Sequence, residues 1–192
     1  MGTISKDTFK RLVLLYTIGR FKDGVYGLFR LNKVVYFVLK DTRLKPFGFK
    51  RDRYGQHSND LDTINEQLLS MNHTKATPFE SGQGNKYSLT DKKNIRFHSL
   101  AMSRIDAKLK EKIDEVVKNY GYLPEKELLQ KAHSDPEFLE TVEKDIDLLF
   151  DEKLPNRIPV DLSDDDCEDL ELSLDPNFIS AMTYLSDWKG RR

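Results

Sequence analysis

The sequence predicts a mostly α fold with a small β-hairpin: a winged-helix-like core covered by additional helices. Three observations carry this expectation. Leu28, Leu31, Val35, Val38 and Leu39 recur at three- and four-residue steps, the period of one buried helix face. Further on, Ser58 or Asn59 can cap a second helix whose buried side is Leu61, Ile64, Leu68 and Met71. Two short extended runs, Thr74 to Glu80 and Lys86 to Thr90, then flank the glycine-rich tip from Ser81 to Asn85 and read as a hairpin. A capped helix followed by a hairpin is the order a winged helix requires, the helix as candidate reader of a groove and the hairpin as its wing.

Taken in order, Ser5 is a plausible N-cap, with Asp7 in the first turn, for a helix carrying Phe9, Leu12, Val13, Tyr16 and Ile18 inward and ending at Gly19. The loop from Arg20 to Gly27 is glycine-rich but lacks the spacing of a phosphate cradle, so it is read as a connector. After the helix from Leu28, Pro46 and Gly48 mark an exit. Phe47 to Tyr54 mixes aromatics with cations as extended chain, and Gly55 gives a turn. Beyond the hairpin, Ser99 is expected to cap a helix through Tyr120, stopped by a left-handed Gly121. Pro124 opens a helix to about His133. Ser134-Asp135-Pro136 opens another whose Phe138, Val142, Ile146, Leu149 and Phe150 form an apolar stripe. These three helices are expected to pack over the core.

Two prolines in Leu154 to Pro159 resist helix and central strand, which places a boundary there. The expected domains are residues 1–153, with the winged-helix-like part at 5–90 and covering helices at 99–150, and an appendage at 154–192. The appendage is read as an acidic linker followed by an amphipathic helix with Phe178, Ile179, Met182, Leu185 and Trp188 on one face. A lone helix of that length is marginal in water, so the face needs something to pack on.

The net charge of −1 hides a gradient: residues 1–53 carry +9, residues 54–150 carry −4 and residues 151–192 carry −6. A basic beginning and an acidic end suggest two partners, or one partner and a self-contact. No apolar run reaches the length of a membrane span and no secretory h-region is present, so a cytoplasmic protein without membrane contact is expected. Cys167 has no second cysteine to pair with, and neighbouring carboxylates would raise its thiol pKa. His57, His73, His98 and His133 stand at no helical spacing to one another, there is no nucleophile elbow, and residues 164–169 lack the pattern of a calcium loop. No catalytic residue, metal or cofactor is expected, and the chain is read as not being an enzyme.

The run Leu31-Asn32-Lys33-Val34-Val35-Tyr36, then Phe47-Gly48-Phe49, then Tyr54-Gly55-Gln56-His57-Ser58-Asn59-Asp60-Leu61 resembles the Panacea (SocA-like, antitoxin-associated) domain family and its "LxKLVY … F … YGPxSxxL" skeleton. Tyr87-Ser88-Leu89-Thr90 and the stretch from Val116 to His133 are similar to two further family segments, so the likeness covers roughly residues 5–150. One departure is Gln56, where the family has proline. The resemblance implies an antitoxin that neutralises a partner toxin by direct complex formation. A shared domain would carry a short variable element, here the tail.

Three sets of candidate residues follow. The family-motif turn and cap are Tyr54, Gly55, Gln56, His57 and Ser58. For a protein partner, Asp165 and Asp166 would steer encounter while Phe178, Met182, Leu185 and Trp188 anchor the contact. For DNA, the alternative reading as a winged-helix regulator, possible autoregulation of its operon included, Arg51 and Arg53 in the basic stretch from Lys40 would meet phosphates, and Asn59, Thr63 and Gln67 would face base edges. A chain ending near Pro155 is expected to fold without the tail. Oligomeric state is not legible.

Overall fold

The first helix starts where the sequence places it. Ser5 Oγ accepts a hydrogen bond from Thr8 N at 3.2 Å, and α1 runs Lys6–Gly19 behind a short strand β1, Gly2–Ser5. In this computed structural model, which describes residues 2–80, 82, 84–90 and 104–177, seven helices take about half of the described chain, with three small antiparallel sheets among them. The fold is therefore mixed α/β rather than mostly α. The difference lies in strands of two to four residues, too short for alternation to be read locally.

In order these are β2, Val25–Tyr26; α2, Gly27–Leu39; β3, Phe49–Asp52; β4, Gly55–His57; α3, Asn59–Ser70; β5, Thr74–Pro78; and β6, Asn85–Leu89. They are followed by α4, Ala107–Tyr120; α5, Glu125–His133; α6, Pro136–Glu143; β7, Leu148–Phe150; β8, Arg157–Val160; and α7, Asp164–Ser173. The sheets are β1–β8, β2–β6–β5 and β4–β3–β7. Two helices form the centre. α2 buries every residue from Leu31 to Leu39, and α1 buries Leu14 and Leu15 as well as the expected Phe9, Leu12, Val13 and Ile18. Tyr16 is half-buried, its hydroxyl donating to Asp114.

The expected hairpin is present, Thr74 pairing with Leu89 through to Pro78 with Asn85. The connector before α2 contributes β2, which joins it as a third strand through Val25–Tyr87 and Tyr26–Lys86. Arg53 and Tyr54 form the turn between β3 and β4, and Gly55 follows it at φ +94°. The α3 cap is Ser58, whose Oγ accepts from Leu61 N, and Leu61, Ile64, Leu68 and Met71 are buried as expected.

Four expectations fail for physical reasons. Asp106, not Ser99, caps α4, accepting from Lys108 N at 3.0 Å; Ser99 lies outside the described residues. Gly121 is right-handed, at φ −63°, and glycine is needed for space: a Cβ there would come within 2.5 Å of Val117 O and 2.9 Å of the Phe21 ring. The helix from Pro136 stops at Glu143 because Asp145 turns left-handed at φ 50° and Ile146 N donates back to Thr141 O. The chain then pairs with β3, and Arg51 N donates to Asp147 O. Val142 and Ile146 stay exposed, whereas Phe150 is buried as part of a strand.

The fourth concerns residues 154–177, expected as a linker. Here β8 pairs with β1 from Gly2–Val160 to Ser5–Arg157, and Ile158, Val160, Leu162, Cys167, Leu170 and Leu174 belong to the same core as α1 and α2. Pro159 is tolerated because the two-stranded sheet leaves each strand an edge. Glu171 of α7 reaches back over the start of α1. It accepts from Ser5 N, Ser5 Oγ and Thr8 Oγ1, and it pairs with Arg157 at 3.2 Å.

Candidate functional site

Asn32, Lys33 and Tyr36, buried on α2 among apolar neighbours, organise a polar part of the interior. Asn32 Oδ1 accepts from Ser58 N at 2.8 Å, and its Nδ2 donates to Leu28 O and to Asp62 Oδ1 at 2.9 Å. Lys33, 2% exposed, donates to Gln56 O at 2.5 Å and lies 5.0 Å from the centre of the Phe29 ring. Burial pulls its pKa from 10.5 down to about 8. One turn on, the Tyr36 hydroxyl donates to Asp135 at 2.9 Å and sits 3.1 Å from Glu137. Burial and these two carboxylates drive the phenol pKa upward.

Asp135 is the centre of this second half. Only 4% exposed, it caps α6 through Glu137 N, accepts from Tyr36 and holds Lys40 Nζ at 2.5 Å. A buried carboxylate with three donors is well satisfied, and removing any one of them leaves desolvated charge behind.

Of the turn and cap residues Tyr54 to Ser58, Gly55, Gln56 and Ser58 do structural work. Gly55 has both the positive φ and the space requirement of glycine, since a Cβ would approach Lys33 Nζ to 3.2 Å and Ala132 Cβ to 3.4 Å. Gln56, the departure from proline, is fully buried and donates to Ala132 O at 2.7 Å, fastening β4 to the end of α5. His57 Nε2 lies 2.9 Å from Asn59 Oδ1. Tyr54 is exposed, with the Arg53 guanidinium 5.4 Å from its ring centre.

The basic stretch is partly committed, whereas Arg43, Lys50 and Arg53 are exposed with no carboxylate within 4 Å among the described residues. Lys40 is held by Asp135, Lys45 lies 3.9 Å from the Phe150 ring centre, and Arg51 approaches Asp145 at 3.7 Å and Thr141 O at 3.4 Å. On α3, Asn59 and Thr63 are exposed. Gln67 is turned to Arg11, accepting at 2.8 Å, so it does not face outward for a base edge. The helix carries Asp60, Asp62 and Glu66 and no lysine or arginine. Lys10 of α1, 4% exposed, answers part of that charge through Asp60 at 2.9 Å and Glu152 at 2.5 Å.

Asp165 and Asp166 occupy the first turn of α7, where Ser163 caps it by accepting from Asp166 N. Cys167 behind them is buried, and burial followed by Asp164 and Asp166 raises its thiol pKa. Phe178, Met182, Leu185 and Trp188 lie outside the described residues. Among the described residues, no group of three or more His, Cys, Asp or Glu is arranged to hold a metal ion, and no helix is long and apolar enough to cross a membrane.

Sequence reasoning passed over one surface. Leu139, Val142, Ile146 and Leu148, expected as core or unremarked, are each 41–48% exposed within ten residues. Around them stand Glu140, Glu143, Asp145 and Asp147, with Lys144 committed to Glu140. The signal was present as the apolar stripe; its error was the assumed length of the helix. No family model matches the chain, and no curated protein or solved structure gives a significant match.

Proposed function

We propose that the protein is an antitoxin-like binding module, acting in the cytoplasm, that neutralises a partner protein toxin by direct complex formation. The observation that carries this reading is the exposed run of Leu139, Val142, Ile146 and Leu148 with its acidic surround. Four large apolar side chains exposed within ten residues of chain favour a surface for protein contact. The carboxylates favour a partner whose own rim is basic and disfavour a second copy of the same face. The residues of the Panacea-like motif support the reading indirectly, because Asn32, Lys33, Tyr36, Gln56 and Ser58 are spent on holding α2, β4 and α5 together. The tail from Phe178 remains part of the proposal as a second element.

The test is co-expression with the product of the neighbouring reading frame. Wild-type protein co-purifies with it and restores growth, whereas Val142→Glu with Ile146→Glu keeps its melting temperature and loses both. A wild-type protein that neither binds nor protects refutes the antitoxin reading.

A second reading, a winged-helix regulator that binds duplex DNA, draws support from topology. α1, β2, α2, α3, β5 and β6 follow in winged-helix order, with sheet order β2–β6–β5 and the β3–β4 hairpin inserted before α3. The exposed side of α3 carries Glu66 and no cation, and Gln67 is engaged by Arg11, so the helix offers a major groove little and this reading ranks second.

A further inference from the structure

We propose that the outer face of the β2–β6–β5 sheet is a binding site for single-stranded nucleic acid, separate from the toxin-binding surface and from any groove reading by α3. Antiparallel register sets the side chains. Lys86 lies between Tyr26 of β2 and Thr77 of β5, and Ser88 lies opposite Lys75, so these five share one face. Val25 and Tyr87, the alternate pair, are buried on the other.

Lys75, Lys86, Thr77 and Ser88 line a cleft of about 400 Å³ together with Lys22 and Asp23 from the loop after α1. Among the described residues, Lys22, Lys75 and Lys86 have no carboxylate within 4 Å, in contrast to Lys10, Arg20, Lys40, Lys112, Lys144 and Arg157, each of which has one. Three ammonium groups and two hydroxyls against the single carboxylate of Asp23 leave the cleft with a net positive lining that fits a row of phosphates.

The aromatic component stands at the cleft's edge. Tyr26, 53% exposed, stacks on Phe79 with ring centres 5.7 Å apart and planes 28° apart, and Lys86 Nζ lies 5.7 Å from its ring centre. A half-exposed ring backed by Phe79 and beside a cation is a stacking platform for an unpaired base. A duplex keeps its bases stacked inward and gains nothing from that ring, which makes the single strand the better ligand.

The test is fluorescence anisotropy at low salt with a fluorescein-labelled oligothymidylate of about 15 nucleotides, a duplex of the same length, and inorganic polyphosphate as competitor. The expected result is preference for the single strand, with log affinity falling against log salt at a slope of about −2 for three lysines. Lys75→Gln with Lys86→Gln lowers that slope to about −0.7, one remaining cation. Tyr26→Ala weakens the single strand roughly tenfold and leaves the duplex unchanged. Thermal melts of each variant matching the wild type keep these effects on binding. Absence of single-strand binding, equal or tighter duplex binding, or affinities indifferent to all three substitutions overturns the proposal. So does polyphosphate competing as well against wild type as against Tyr26→Ala, because the platform then contributes nothing.

Discussion

Lys33→Met changes how stability depends on pH, and the size of the change follows from where the ammonium sits. In the folded protein burial lowers the Lys33 pKa from 10.5 to about 8. Below about pH 8 the folded and unfolded chains both hold the proton, and folding bears the full cost of the buried charge. Between about pH 8 and 10.5 the unfolded chain binds more protons than the folded one, so stability rises with pH. Integrated over pH 7 to 9, the gain is roughly 1.3 kcal/mol, equivalent to about 3–5 °C in Tm for a chain of this size. Above pH 9 Cys167, its thiol raised by burial from an ordinary value of 9.0, contributes with opposite sign. Lys10 and Lys40, both raised, keep their ion pairs until above 10.5. The assay is circular dichroism melting of wild type and variant in matched buffers from pH 7 to 9. The Tm difference, wild type minus variant, should grow by those few degrees. Its value at pH 7 is a separate matter, since methionine removes the charge but leaves the Gln56 carbonyl without its donor. Parallel curves across the window would refute the placement of a desolvated ammonium at this site.

Two further predictions concern residues 154–174. Glu171→Ala should cost about 1–3 kcal/mol in chemical denaturation, because Ser5 N and the Ser5 and Thr8 hydroxyls lose their shared acceptor; a melt identical to wild type contradicts this. Ending the chain after Pro155 should abolish cooperative unfolding. It removes Ile158, Val160, Leu162, Leu170 and Leu174, all 5% exposed or less, and at about 2 kcal/mol each their loss rivals the whole stability of a domain.

Several helix starts and the β5–β6 hairpin were legible in the sequence, whereas the long-range strand pairings were not. Ser5 and Ser58 announce α1 and α3 because a cap is a local hydrogen bond, three residues wide. β7 was hidden because Phe138, Val142, Ile146 and Leu149 keep helical spacing, and only the distant β3 draws residues 148–150 into a ladder. Residues 154–159 were read as linker on the strength of their prolines, though a free edge opposite β1 accommodates Pro159. In the site, the motif around Gly55 and Ser58 was visible as a turn and a cap. Its partners were not: Asn32 reaches Ser58 across 26 residues and Tyr36 reaches Asp135 across 99, separations that no local pattern encodes. A lysine amid Leu31 to Leu39 was the available clue, since a charge on a buried face requires a partner.

The clasp between the two ends of the described chain has a consequence for how the protein is made. β1 has no strand to pair with until residues 157–160 exist, and the carboxylate that completes the start of α1 arrives only with residue 171. At ordinary elongation rates β1 therefore waits on the order of ten seconds for its partner strand. The helix behind it has cover sooner, because α2, α3 and β6, which pack on α1, are complete by residue 89. What closes late is the clasp itself, fastened over a helix whose other sides have neighbours made long before.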